Sequence, residues 1–241
     1  GKDIIDASGI ACLTFESSIV ANTSVAELIV PVQDSLDMLH IESNSNLEVV
    51  FIPTEEIGHL SIVQNYQLID VDSHHNNGQS INIAENTSLE TLDFPWLQEI
   101  NLDFDIQLNP NLHSIQVSEV QYVGGSLIIE GNATLGELSL QALEMTAGAV
   151  IVQDNENLYR LAMPKLYVVG GLSHDESGRA SLHLVENARL DVTSFPELFY
   201  IAQDLNISHN SRLETLDGFD SLVSVDDLTI VGNDSLQTVM E

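Results

Sequence analysis

Apolar residues recur along this chain in pairs two positions apart, each pair followed at a fixed distance by an asparagine and then by a lone leucine. The asparagines are Asn44, Asn65, Asn86, Asn109, Asn132, Asn155, Asn187, Asn210 and Asn233, at spacings of 21, 21, 23, 23, 23, 32, 23 and 23 residues. Five and three positions before them stand pairs such as Leu39/Ile41, Leu60/Ile62, Phe104/Ile106, Leu127/Ile129 and Leu205/Ile207. Three positions after them stand Leu47, Leu68, Leu89, Leu112, Leu135, Leu158, Leu190, Leu213 and Leu236. Residues at i and i+2 share one face of a strand, so each pair predicts a short strand with one apolar face. The asparagine that closes it carries both a donor and an acceptor. Stacked once per repeat, these amides predict a ladder that satisfies backbone groups the core would otherwise leave unpaired.

A second apolar segment recurs in each repeat, most clearly in Phe94-Pro95-Trp96-Leu97-Gln98-Glu99-Ile100, Met163 to Val169 and Phe195 to Ile201. The proline suits a turn or a strand start, where no ladder N–H is required. The Leu-x-x-Val/Ile after it predicts a second short strand, ended by glycine pairs at Gly124-Gly125 and Gly170-Gly171. No helical period runs through the chain. The fold expected is therefore all-β: a right-handed parallel β-solenoid of about nine to ten turns of about 23 residues, with an internal asparagine ladder. Residues 1–35 are less regular and are read as an N-terminal cap or degenerate first turn, with Leu13 and Phe15 as its apolar pair and Ser18 in the asparagine place. Residues 36–241 are read as one continuous solenoid domain.

Composition agrees with many small layers rather than one large core, since the chain is 44% hydrophobic but only 5% aromatic. Charge narrows the partners. With 37 acidic against 6 basic residues and a net charge of −31, nucleic acid and anionic membrane surfaces are excluded as partners, because a polyanion is bound by clustered Lys and Arg. No apolar run approaches the length of a membrane-spanning helix, so no direct membrane insertion is expected. The opening residues lack a basic region followed by an apolar run, so no targeting signal is read in this chain. The lone Cys12 cannot form an internal disulfide and is read as a small buried hydrophobe.

The pattern Leu-x-Ile-x-x-Asn-x-x-Leu, then Pro-x-Leu-x-x-Val-x-Gly-Gly, resembles the receptor L domain, a relative of leucine-rich repeats found in insulin- and EGF-type receptor ectodomains and in fungal GPI-anchored cell-wall proteins. The 32-residue step between Asn155 and Asn187 is similar to the extended turn those domains carry. This chain departs from the family in having neither cap disulfides nor cysteine-rich companion modules. The resemblance implies recognition or wall architecture, an extracellular or cell-surface location, and no catalytic residues.

Between the inward pairs, side chains face outward in two columns. These form the candidate ligand face, centred on Asp105, Gln107, Ile128, Glu130, Ile151, Gln153, His183 and Val185. Its apolar pair Ile128 and Ile151 is rimmed by polar groups, as interaction patches are. The segment Asp70 to Gly78, with Asp70, Asp72, His74 and His75, has the donors for a divalent ion, but its Asp, Ser, Asn and Gly also suit an inter-repeat loop, and no metal site is assigned. Of five Asn-x-Ser/Thr sequons, Asn86, Asn132 and Asn233 fall on the ladder, leaving Asn22 and Asn206 as candidate glycosylation sites.

No nucleophile elbow, phosphate loop or zinc-protease motif occurs, so no catalytic residue and no cofactor is assigned. The function expected is a non-catalytic recognition or adhesion module, an acidic glycoprotein binding a protein or glycan on its sheet face. A structural component of a wall, coat or filament, self-associating through a solenoid end, is the alternative. A polysaccharide-acting β-helix enzyme is the third.

Overall fold

Each apolar pair lies in a strand, and from Leu39/Ile41 to Leu205/Ile207 both members are buried. Phe104–Gln107, Leu127–Glu130, Val150–Gln153 and Leu182–Val185 all alternate buried and half-exposed residues. They pair in parallel and in register, so that Ile128 lies between Asp105 and Ile151, and Ile129 between Ile106 and Val152. A computed structural model describes residues 4–6, 17–21, 24–30, 32, 34–171, 180–216 and 218–238. Over these residues the chain is a parallel β-solenoid of about nine turns, and no helix occurs among them. Burial of each inward Leu or Ile contributes about 1.5–3 kcal/mol, drawn from neighbouring turns rather than from its own.

A turn has three arms where the sequence predicts two. The first arm carries the apolar pair. The predicted second strand is present as Glu99–Ile100, Tyr122–Val123, Met145–Thr146, Val168–Val169 and Tyr200–Ile201. The unforeseen arm follows the leucine. It forms a six-stranded sheet from Ile4–Asp6 to Ser114–Gln116 and a three-stranded sheet of Glu137–Ser139, Arg160–Ala162 and Val192–Ser194.

The corners explain the motif spacings. In all nine repeats the leucine N–H donates to the carbonyl of the ladder asparagine three residues earlier, from Leu47 to Asn44 through Leu236 to Asn233, so Asn-x-x-Leu is a β-turn. A second β-turn closes where Leu97, Leu166 and Leu198 donate to Phe94, Met163 and Phe195. Proline sits at its second position, where its fixed φ is already the one required. The third corner depends on repeat length. In the first two 21-residue steps the chain runs straight through it as the eight-residue strands Glu56–Val63 and Asn77–Ala84. The two additional residues of the later steps break this strand into two, at Asn101 to Asp103 and Gly124 to Ser126. Gly124 is needed there, since a Cβ on it would stand 2.2 Å from the Asn101 carbonyl oxygen.

The ladder runs the length of the described solenoid. The backbone N–H of each asparagine from Asn44 to Asn210 donates to Oδ1 of the next, at 2.9–3.2 Å over eight links. Each Nδ2 donates to a strand carbonyl of the preceding turn, as Asn132 does to Ile106 at 2.9 Å and Asn187 to Val152 at 2.8 Å. The 32-residue step leaves the ladder unbroken, because its added residues enter at the third corner while Asn155 N–H still reaches Asn187 Oδ1 at 3.2 Å.

One backbone requirement went unread. The residue before every ladder asparagine has a positive φ: Ser43, Gln64, Glu85, Leu108, Asp154, Glu186 and His209 at 54–58°, and Gly131 and Gly232 at 67° and 69°. A branched or long side chain is disfavoured there by about 1–2 kcal/mol, partly offset by the greater unfolded-state entropy of glycine. Exposed Leu108→Gly is therefore expected to raise stability by about 1 kcal/mol, read as a higher urea midpoint with unchanged slope.

Apart from the ladder, a second group of polar side chains enters the core beside Phe94. Thr54, Ser73 and His75 are buried, and backbone pairing aligns His75 with Leu97 of the next turn. His75 Nδ1 lies 2.7 Å from Ser73 Oγ, and its ring meets Phe94 edge-on at 5.6 Å. Its Nε2 has no hydrogen-bond partner among the described residues. Burial lowers its pKa to about 4.

At the N-terminal end the described strands of the cap continue the solenoid. Ser17–Ala21 pairs with the first regular repeat, and Val20 O receives the Asn44 amide. Ser18 aligns with Leu39, not with the asparagine position as the sequence reading had it, and Val20 aligns with Ile41. The correction follows from Val20 being the inward residue that supplies the carbonyl for the ladder. Cys12, Leu13, Phe15, Asn22 and the segment 172–179 of the enlarged turn lie outside the described residues.

Candidate functional site

The alternation of the first arm places all eight candidate residues on one outward sheet face. Asp105, Ile128, Ile151 and His183 form one column, and Gln107, Glu130, Gln153 and Val185 the other, each residue beside its equivalent one turn away. All eight are half-exposed. Ile128 and Ile151 make a continuous apolar strip between Asp105 and His183.

The face is acidic at its edge. The Asp105 carboxyl is raised above its usual range, chiefly by burial and further by Asp103 and Glu130, while a hydrogen bond with Gln107 acts the other way. Its Oδ1 is buried without a hydrogen-bond partner among the described residues. The positive-φ column runs along the same border. There the Glu186 carboxyl is raised by its hydrogen bond with Asp154 and by that residue's charge.

Asn206 extends the first column between His183 and Thr229 and is half-exposed, with its Oδ1 buried and without a hydrogen-bond partner among the described residues. The ladder sequons differ. Asn86 and Asn132 are buried with their Nδ2 atoms bonded, and Asn233 is half-buried with Nδ2 donating to Ile207 O at 2.8 Å.

The Asp70 to Gly78 segment is not the loop its composition favours. Residues 70–73 form a strand, and Asn77–Ala84 is another. Strand alternation divides the donors. Asp70 accepts from the Thr91 hydroxyl and Asp72 lies 3.2 Å from His74 Nε2 on the outer side, whereas Ser73 and His75 turn into the core. The outer cluster gains Asp93, paired with Asp72 across the sheet, whose carboxyl is raised by burial and by Asp72 and Asp70. No group of three or more His, Cys, Asp or Glu suited to a metal ion occurs among the described residues.

An aromatic feature escaped the sequence reading. Tyr167 and Phe199 lie one turn apart, their rings stacked at 5.3 Å and 7° from parallel, and both are well exposed. The signal was available, since both follow the leucine of the Pro-x-Leu motif. Their reading as plain strand residues hid that they share a column.

Fold and face together define an asparagine-ladder β-solenoid with a flat, half-apolar sheet surface. In comparison with known proteins, no family model matches the chain, and no curated protein or solved structure matches it.

Proposed function

We propose that this chain is a non-catalytic recognition module of receptor-L-domain type, working outside the cell, which binds a protein or glycan across the face of Asp105, Gln107, Ile128, Glu130, Ile151, Gln153, His183 and Val185. The observation that carries this reading is the in-register Ile128–Ile151 strip, rimmed by Gln107, Glu130 and Gln153 on a rigid sheet. Parallel strands fix the spacing of these side chains, so little conformational entropy is lost when a partner covers them. The strip supplies apolar area and the rim supplies hydrogen-bond selectivity, the division of labour common to interfaces.

The test is a screen on protein and glycan arrays, followed by titration of the strongest ligand against Ile128→Thr/Ile151→Thr. Threonine keeps the β-branched shape a strand favours while removing apolar surface. Binding is expected to weaken by about tenfold or more with the urea midpoint little changed. Undiminished binding by the double variant rejects this face. Turnover of a polysaccharide abolished by one carboxylate change replaces recognition with catalysis.

A further inference from the structure

A second surface lies on the arm before the third corner and stands independently of the face above. Backbone hydrogen bonds of 2.8–3.0 Å link Gln121, Glu144, Tyr167, Phe199 and Val223 into one column, each N–H donating to the carbonyl of the residue a turn earlier. Phe199 therefore covers one face of the Tyr167 ring, and Glu144 is the neighbour on the other side. Beside the ring a groove of about 350 Å³ runs across three successive turns, lined by Glu144, Met145, Lys165, Tyr167, Val168 and Glu197 but not by Phe199. Tyr167 is 48% exposed. Neither the Glu144 nor the Glu197 carboxylate has a hydrogen-bond or ion-pair partner among the described residues.

We propose that this groove binds an arginine side chain of a basic partner protein, its guanidinium stacked on the free face of Tyr167 and its N–H groups donating to Glu144 and Glu197. The ring offers its negative face to a cation. Two carboxylates face one ammonium, Lys165, so the groove keeps a negative balance within a chain of net charge −31. Arginine fits better than lysine because it is planar, weakly hydrated and able to stack and donate at once, while an ammonium holds its water more tightly. A neutral sugar would also stack on the ring but gains nothing from the charge. The protein's field gathers basic partners from solution, and the groove selects among them.

The experiment titrates the isotope-labelled protein by NMR with an acetylated, amidated Gly-Gly-Arg-Gly-Gly peptide, its lysine counterpart and cellohexaose. Saturable shifts are expected at Tyr167, Met145 and Val168 with the arginine peptide, and about threefold or more weaker binding with lysine. Tyr167→Leu, which leaves the net charge unchanged, is expected to weaken arginine binding about fivefold, and Lys165→Met to tighten it about twofold or more. Trp96→Leu, an exposed aromatic elsewhere, should change nothing. Equal binding of the two peptides that Tyr167→Leu leaves intact would reduce the effect to the overall charge and overturn the proposal. Saturation of the same resonances by cellohexaose, with none by the peptide, would make this a glycan site and overturn it equally.

Discussion

Asn109→Ala is expected to destabilise the protein by about 4 kcal/mol. The Asn109 side chain serves three backbone groups at once. Its Oδ1 accepts from Asn86 N–H at 3.0 Å, and its Nδ2 donates to Ile83 O and Gln107 O, each at 2.9 Å. Alanine leaves these stranded in a site from which water is excluded, and a buried unpaired group costs about 1–3 kcal/mol. Asn233→Ala makes the internal control. Asn233 is half-buried, so water can replace its bonds to Asn210 N–H and Ile207 O, and a loss of about 1 kcal/mol is expected. Urea unfolding of both variants, with amide exchange at residues 83–132 to detect local opening, checks the difference. Equal losses would mean that the ladder is an ornament of the packing rather than its support.

Acid is expected to weaken the fold through His75 by about 3 kcal/mol as the pH falls from above 6.5 to 4. In the folded protein burial holds its pKa near 4, against 6.5 for an unperturbed imidazole. Above pH 6.5 both states leave it neutral and no penalty exists. Below that, the unfolded chain binds a proton that the folded one refuses, so stability drops until the folded pKa is reached. The core around the ring offers Ser73 Oγ and the edge of Phe94, and among the described residues no carboxylate pairs with the ring. The raised carboxyls of Asp93, Asp105 and Glu186 act with the opposite sign, since they take up protons more readily when folded. Protonating the many surface carboxylates also relieves repulsion. The measurement is therefore a difference: urea stability at pH 7 and pH 4 for the wild type and for Ser73→Ala/His75→Leu. Leucine is the residue at the aligned position 97, and alanine removes the hydroxyl that would lose its partner. The double variant should retain about 3 kcal/mol more of its neutral-pH stability at pH 4. Parallel pH dependence in the two proteins would remove His75 as the cause.

What the sequence made legible was the part governed by exact repetition. The pair Phe104/Ile106 and its counterparts fixed the first arm, and with it the outward columns of the candidate face. The third arm stayed hidden because its strands are three or four residues long. Strands such as Thr91–Asp93 bury only the central residue, here Leu92, so no alternation extends far enough to see. The same shortness made Asp70 to Ser73 read as a loop. His75 was read as a candidate ligand because adjacency in sequence suggested shared space with Asp72. The strand sends alternate residues to opposite sides, and only the fold shows that His75 occupies the site of a leucine. Tyr167 and Phe199 were separated by the 32-residue step, which concealed that they are neighbours.

Because each ladder asparagine from Asn65 to Asn210 donates forward from its N–H and accepts from the turn behind, each turn has a head and a tail that fit any other turn. A gene encoding such a chain can lengthen or shorten by whole tandem copies and leave each amide with a partner of the right kind. Insertions smaller than a copy are tolerated only where the ladder does not pass, as the step from Asn155 to Asn187 illustrates. The lineage of this protein should thus record two clocks of length change. One advances in units of a full turn, and the other drifts residue by residue at the third corner.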